Sequence, residues 1–204
     1  MTIIANNRKA ITGIILSGGR SLRMGKDKAF IKVEGIPIIE RIADLFLKLF
    51  QETIIVTNRR ESYLHLKATA YEDLLPNSGA LGGLYTGLFY SFFPYSFIAA
   101  CDMPYLKTEV ISYLIEKMEG YDVVVPKTED GLQPLHALYS KRCIDPIQRV
   151  LQEKKTRIVD LYPLVRVNII EANEIVSVDP DMESFININT PDELIHFKKR
   201  NTTA

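Results

Sequence analysis

The chain has no tryptophan, only three histidines and only two cysteines, Cys101 and Cys143, which share no CxxC or Cys/His spacing. A disulfide framework and a structural zinc site are therefore not expected, and a reducing, cytoplasmic setting fits. Net charge is also missing. Its 25 Lys+Arg balance 25 Asp+Glu, so no overall field draws the protein to nucleic acid or to an anionic membrane. Any anion it binds must be captured locally. Long apolar runs are lacking as well. The most apolar stretch, Leu84 to Cys101, is interrupted by Ser91, Pro94 and Ser96 and ended by Asp102, which suits helix, turn and strand better than a membrane span. Arg8 and Lys9 precede a short apolar run that closes in glycines without a small-residue cleavage site, so no secretory signal is expected and the mature chain is expected to begin here.

What is present is an ordinary globular composition, 47% hydrophobic and 25% charged over 204 residues, enough for one domain with its own core. The run Ile11 to Leu16 is β-branched and closes in Ser17-Gly18-Gly19, the pattern of a strand buried on both faces that feeds a glycine loop. After Pro37, apolar residues at Ile38, Ile42, Leu45, Phe46, Leu49 and Phe50 recur at helical spacing. Thr53 to Thr57, Phe97 to Cys101 and Asp122 to Pro126 read as further strands, the last stopped by its proline. Tyr113, Leu114 and Met118 give the helix between the latter two an inward face. Strands alternating with helices predict an α/β fold, a mostly parallel sheet with helices on both faces, and a ligand crevice beyond the strands' carboxyl ends.

Past Pro126 the rhythm is less regular. Leu135 to Tyr139 and Val165 to Ile170 read as strands, Ile144 to Gln152 and Pro191 to Lys199 as helices, and no repeat or linker marks a second domain. Residues 1–204 are taken as one domain, with a nucleotide-binding part over about 11–126 and an acceptor-binding part over about 127–200. Lys198-Lys199-Arg200 is a solvated helix end that complements the macrodipole.

The densest chemical signal lies between Leu16 and Lys28, where three glycines (Gly18, Gly19, Gly25) and four cations (Arg20, Arg23, Lys26, Lys28) follow the first strand. Glycines let backbone N–H groups approach an anion, and Arg and Lys add charge-assisted bonds to phosphate oxygens. A polyphosphate site is the expectation. It is neither of two familiar loops. Five residues separate Gly19 from Gly25, and Lys26 precedes Asp27, which fails the Walker A pattern. Counting from Gly18 or Gly19 puts Arg20 or Ser21 in third place, which fails the dinucleotide fingerprint.

Asp102, at the end of a buried strand and just before Pro104, is placed to hold a hard cation near phosphates, since magnesium takes one or two carboxylates with phosphate oxygens and water. A helix N-cap or an Asx turn is the plainer alternative. Asp73 could be a solvated turn residue, or could accept from guanine N1–H and the exocyclic amine, or from ribose hydroxyls. Asn187 and Asn189 alternate with Phe185, Ile186 and Ile188, so a strand there would put both on one polar face. Capping of the helix after Thr190 accounts for them equally well.

The stretch LSGGRSLRMGKDKA resembles the LAGGxSxRMGxxKA signature of nucleotidyltransferases with a Rossmann-like fold. Within that superfamily the chain resembles the molybdenum cofactor guanylyltransferase (MobA-like) family, through GALGG at Gly79 to Gly83, ACDMPYL at Ala100 to Leu106, QPLHALY at Gln133 to Tyr139 and FININTPDEL at Phe185 to Leu194. Two departures are Ser17 for the usual alanine and Ala80 for the usual proline. The resemblance implies transfer of GMP from GTP to the terminal phosphate of a molybdopterin-type molybdenum cofactor, with release of pyrophosphate. It further implies that Leu16, Ser17, Gly18 and Gly19 bind GTP through the backbone, that Arg23 and Lys28 grip its phosphates and act in catalysis, that Asp73 binds the nucleotide, and that Asp102 holds Mg2+. Asn189 would complete the metal shell or Asn187 contact the pterin, and His136 lies in the block that lines the second substrate's pocket, although a satisfied histidine explains it as well. A cytoplasmic monomer that makes transient contacts with molybdoenzyme maturation proteins, and binds neither nucleic acid nor membrane, is expected. The alternatives are a relative using CTP or a sugar-phosphate acceptor, and a binding module without chemistry.

Overall fold

The computed structural model describes residues 11–18, 28–188, 190 and 193. In chain order these form β1 (Ile11–Ser17), β2 (Lys32–Val33), β3 (Ile36–Pro37), α1 (Ile38–Leu49), β4 (Glu52–Thr57), β5 (Thr69–Tyr71), α2 (Gly79–Tyr90), β6 (Tyr95–Ala100), α3 (Thr108–Glu116), β7 (Val123–Thr128), β8 (Gly131–Leu132), β9 (His136–Ser140), α4 (Ile144–Gln152), β10 (Val167–Ile170) and α5 (Ala172–Val176). The main sheet runs β10-β7-β9-β6-β1-β4-β5, with β8 paired to β7. β1 lies in its middle, parallel to β4 and β6, with Ile14 opposite Ile54 on one side and Ile98 on the other.

The run of isoleucines in β1 follows from cover on both faces. Ile11 and Ile15 pack with Ile38, Ile42 and Phe46 of α1 and Leu114 of α3, whereas Ile14 packs with Leu84 and Leu88 of α2 and Ile147 of α4 belongs to the same cluster. α2 meets the sheet closely because of its glycines. A Cβ on Gly87 would lie 2.7 Å from Ile14 Cγ2, a side chain that is itself fully buried. Gly87→Ala should therefore lower stability by about 1–3 kcal/mol, read as a reduced midpoint in urea with an unchanged slope.

Two expectations need correction, the end of β7 and the inward face of α3, and one is refined by the direction of β9. β7 is not stopped by Pro126 but continues to Thr128. β9 pairs with β7 only at Val123 and Val124 and β8 pairs with it from Lys127, so Pro126, whose carbonyl accepts from Gln133 N–H at 2.8 Å, sits where the strand changes partner, and its missing N–H is tolerated there. The strand read at Leu135 to Tyr139 is β9, and it runs antiparallel between β6 and β7. The inward face of α3 is Val110, Ile111 and Leu114, while Tyr113 is only half-buried and Met118 lies beyond the helix end. The closing helix read at Pro191 to Lys199 and the basic Lys198-Lys199-Arg200 lie outside the described residues.

Candidate active site

β1, β4 and β6 end together, and beyond their carboxyl ends lies a cleft of about 950 Å³. Leu16 and Gly18 from the end of β1, Lys28 beyond the glycine loop, Asp73 after β5 and Asp102 after β6 all line it. Five of the residues singled out in the sequence thus share one cavity, although they span 87 positions of chain (16 to 102). A pocket of this size holds a nucleotide-sized ligand.

The cleft wall is tied together by backbone bonds. Cys101 N–H donates to the Leu16 carbonyl at 3.2 Å, fixing the turn that carries Asp102 against β1. Ile188 N–H donates to the Asp102 carbonyl at 2.8 Å, so the carboxyl-terminal segment braces the same turn. That segment is anchored by a buried charge. Asp179, with no exposed side-chain area, accepts from Lys107 Nζ at 2.6 Å and from Ser184 N–H at 2.9 Å. Burial opposes the charged ammonium of Lys107, but its bonds to Asp179 and Glu183 outweigh this and hold its pKa up at about 12.

Asp102 carries no cap. α3 begins only at Thr108, with Lys107 in the capping position. An Asx turn would need an N–H two residues on, and Pro104 has none. Both plainer readings of Asp102 therefore fail. Burial raises its carboxyl pKa, and the positive charge of Lys28 across the cleft works against that rise. An anion so placed is stabilised by a cation brought to it.

Asp73 is a turn residue that also lines the cleft. Its Oδ1 accepts from Leu75 N–H at 3.0 Å, an Asx turn, and from the Thr86 hydroxyl at 2.8 Å, while the residue still lines the cleft. Ser17 turns its side chain inward to Tyr63 Oη at 2.6 Å, so only its backbone is left for a ligand. α2 points its N-terminus into the cleft through Gly79 and Ala80, a favourable end for negative charge. Gly79 adopts φ +61°, and a Cβ there would press to 3.1 Å from the Thr156 carbonyl. Ala80 falls within the first turn of α2, so its difference from proline leaves the helix start intact.

Other expectations fall away or lie elsewhere. Residues 186–188 form no strand, because Phe185 ends a short 3-10 turn and Ile188 bonds to the Asp102 loop instead. Asn187 is exposed and does not line the cleft. Gly19, Arg23 and Asn189 lie outside the described residues. His136 is wholly buried against Phe97 and Phe185, its Nδ1 bonded to the Ser184 carbonyl at 3.2 Å, and burial pushes its pKa down to about 4. It is a neutral core residue. Neither cysteine forms a disulfide among the described residues; Cys101 lines the cleft, and burial pushes Cys143 up to about 12.

Sequence reasoning missed the polar side chains of Asn58, Asn77 and Thr156, which also line the cleft. Asn58 follows the last residue of β4, so the rule that ligands gather at strand ends could have found it. Thr156 comes from the loop after α4 and carried no local signal. Among the described residues, no group of three or more His, Cys, Asp or Glu surrounds a metal position, and no helix is long and apolar enough to cross a membrane.

Comparison with known proteins agrees with this geometry. The family model described as MobA-like NTP transferase domain matches residues 13–165. The chain belongs to the MobA-like NTP transferase family. Among its relatives, a molybdenum cofactor guanylyltransferase of Desulfosudis oleivorans is 41% identical over 187 residues, covering 91% of this chain and 93% of that one. A probable molybdenum cofactor guanylyltransferase of Pelotomaculum thermopropionicum is 40% identical over 184 residues, covering 90% of each. The crystal structure of molybdopterin-guanine dinucleotide biosynthesis protein A from Archaeoglobus fulgidus superposes with a TM-score of 0.80 at 26% identity, over 95% of this chain and 100% of that one. The mostly parallel sheet flanked by helices is thus the nucleotidyltransferase Rossmann-like fold of this family.

Proposed function

We propose that the protein transfers GMP from GTP to the terminal phosphate of a molybdopterin-type molybdenum cofactor, forming the guanine dinucleotide cofactor and releasing pyrophosphate. The observation that carries the reading is the convergence of Leu16, Gly18, Lys28, Asp73 and Asp102 on one cleft, in a family whose relatives bear that activity in their names.

The nucleophile needs little activation. A phosphate monoester has a second pKa of about 6 and is mostly dianionic at neutral pH, so the protein need not supply a base. Its task is to hold two anions in line and to stabilise charge on the departing pyrophosphate. Leu16, Ser17, Gly18 and Gly19 align the triphosphate through their backbone, Arg23 and Lys28 offset its charge, and Asp73 holds the nucleoside. The part over about 127–200 receives the second substrate, with Asn189 completing the metal shell or Asn187 contacting the pterin.

The donor set at Asp102 fits Mg2+. Its carboxylate makes no salt bridge among the described residues, burial disfavours its charge, and one carboxylate beside a phosphate site is what this ion takes. Bound there, magnesium would neutralise charge on the triphosphate and on the leaving pyrophosphate.

Pyrophosphate release measured in parallel with GTP and CTP, each with the molybdopterin acceptor, tests the reading. Turnover with GTP is expected; turnover with CTP alone, or with a sugar phosphate as the better acceptor, would contradict it. Lys28→Ala should weaken binding of GTP by about tenfold or more while changing affinity for guanosine little. Calorimetric titrations showing equal losses for both would remove Lys28 from the phosphate site.

A further inference from the structure

The carboxylate of Asp73 is held by a residue outside the cleft lining. Thr86 is fully buried on α2. Its hydroxyl donates to Asp73 Oδ1 at 2.8 Å and accepts from Leu74 N–H at 3.0 Å, bridging two points of the turn that follows β5. A threonine within a helix ordinarily turns its hydroxyl to the carbonyl four residues back, and the Gly82 carbonyl is indeed 3.0 Å away. The carboxylate is both the nearer and the charged acceptor, so it takes the larger share of the single hydrogen. With Leu75 N–H also on Oδ1 at 3.0 Å, two donors fill the lone-pair positions of that oxygen. Oδ2 is the oxygen left for a ligand.

We infer that Thr86 is a positioning residue for nucleotide binding: it touches no ligand, but fixes Asp73 so that one carboxylate oxygen, Oδ2, is offered to the nucleoside. The inference rests on the reading that Asp73 contacts the nucleotide. It also narrows that contact. A carboxylate with Oδ1 saturated cannot clamp guanine N1–H and the exocyclic amine with one oxygen each, so Asp73 binds through Oδ2 alone. Because α2 carries Thr86 and also presents Gly79 and Ala80 to the cleft, one rigid helix sets both the Asp73 carboxylate and the anion-favouring helix end.

A double-mutant cycle on the full chain tests this. Thr86→Val keeps the shape and removes the hydroxyl, Thr86→Ser keeps the hydroxyl, and Asp73→Asn removes the charge that Thr86 orients. Steady-state kinetics with GTP should show KM raised about tenfold in Thr86→Val with kcat within about twofold. Thr86→Ser should restore KM to within about threefold of the parent, and in the Asp73→Asn background Thr86→Val should add no further rise. A rise of the same factor in both backgrounds would show that Thr86 acts independently of Asp73 and would overturn the inference. So would an unchanged KM in Thr86→Val beside a raised one in Asp73→Asn. If Asp73→Asn itself leaves KM for GTP unchanged, the failure lies one level deeper, in the nucleotide role of Asp73. Thermal denaturation of each variant accompanies the kinetics, and Thr86→Ala carries the same cycle should Thr86→Val be recovered unfolded.

Discussion

Asp102→Ala should lower guanylyl transfer by about 100-fold or more, equivalent to about 2.7 kcal/mol of barrier, while leaving the fold intact. The physical basis is that Asp102 fills neither the helix-cap nor the Asx-turn role of a structural aspartate. It starts no helix, and Pro104 offers no N–H for an Asx turn. Its charge is instead a cost. Burial raises the carboxyl pKa despite Lys28, so the folded state holds the proton more tightly than the unfolded chain does, and stability from this group is lost as the pH rises through the ordinary carboxylate range and the raised value. Asp102→Asn should therefore raise the melting temperature at neutral pH, by about 2 °C, while abolishing most of the turnover. Activity of the parent should fall as the pH is lowered through the raised pKa, because the carboxylate form is the one that takes a cation. Near-normal transfer by Asp102→Ala, or a melting temperature lowered in Asp102→Asn, would contradict this account.

Asp179→Ala should produce the largest loss of stability among the charged residues discussed, about 3 kcal/mol or ~6–12 °C for a chain of this length. Asp179 has no exposed side-chain area, and its removal strands Lys107 Nζ at one contact and leaves Ser184 N–H without an acceptor. Lys107 keeps Glu183 at 2.9 Å and is 30% exposed, which places the loss at the lower end for a broken buried pair. The sign with pH is opposite to that of Asp102. Burial works to raise the Asp179 pKa, but Lys107 and Ser184 outweigh it and hold it below the ordinary carboxylate value. Its contribution is thus complete above that ordinary value and is lost as the pH falls through the depressed one. Urea denaturation of parent and variant should show a difference that is large at pH 7 and shrinks in acid. A difference independent of pH would mean that packing, not charge, sets the loss. Since Ser184 precedes Ile188, whose N–H meets the Asp102 carbonyl, the variant should also blunt turnover.

Much of the nucleotide half was legible because its signals are local. Ile11 to Ser17 is buried on both faces in the sheet's centre, and Asp102, two residues beyond the buried β6, lands in the cleft by strand direction alone. The second half was less legible because it depends on partners far away in sequence. Nothing local in His136 to Ser140 states that it runs antiparallel, since a fully buried strand reads alike in either direction. Asp179 carried no motif; its meaning comes from Lys107, 72 positions earlier. Thr86 and Thr156 carry no signal of their own in the sequence; only the fold brings the first to Asp73 and the second to Gly79. The alternation over Phe185 to Ile188 misled for the converse reason, because alternation predicts a strand only where a neighbouring strand exists to pair with it.

The most direct test is a crystal structure of the protein with GTP and magnesium. The account predicts the triphosphate against the stretch from Leu16 to Lys28, the ion on Asp102, and the nucleoside within reach of Asp73 Oδ2. A triphosphate bound elsewhere, with Lys28 and Asp102 both facing solvent, would contradict it.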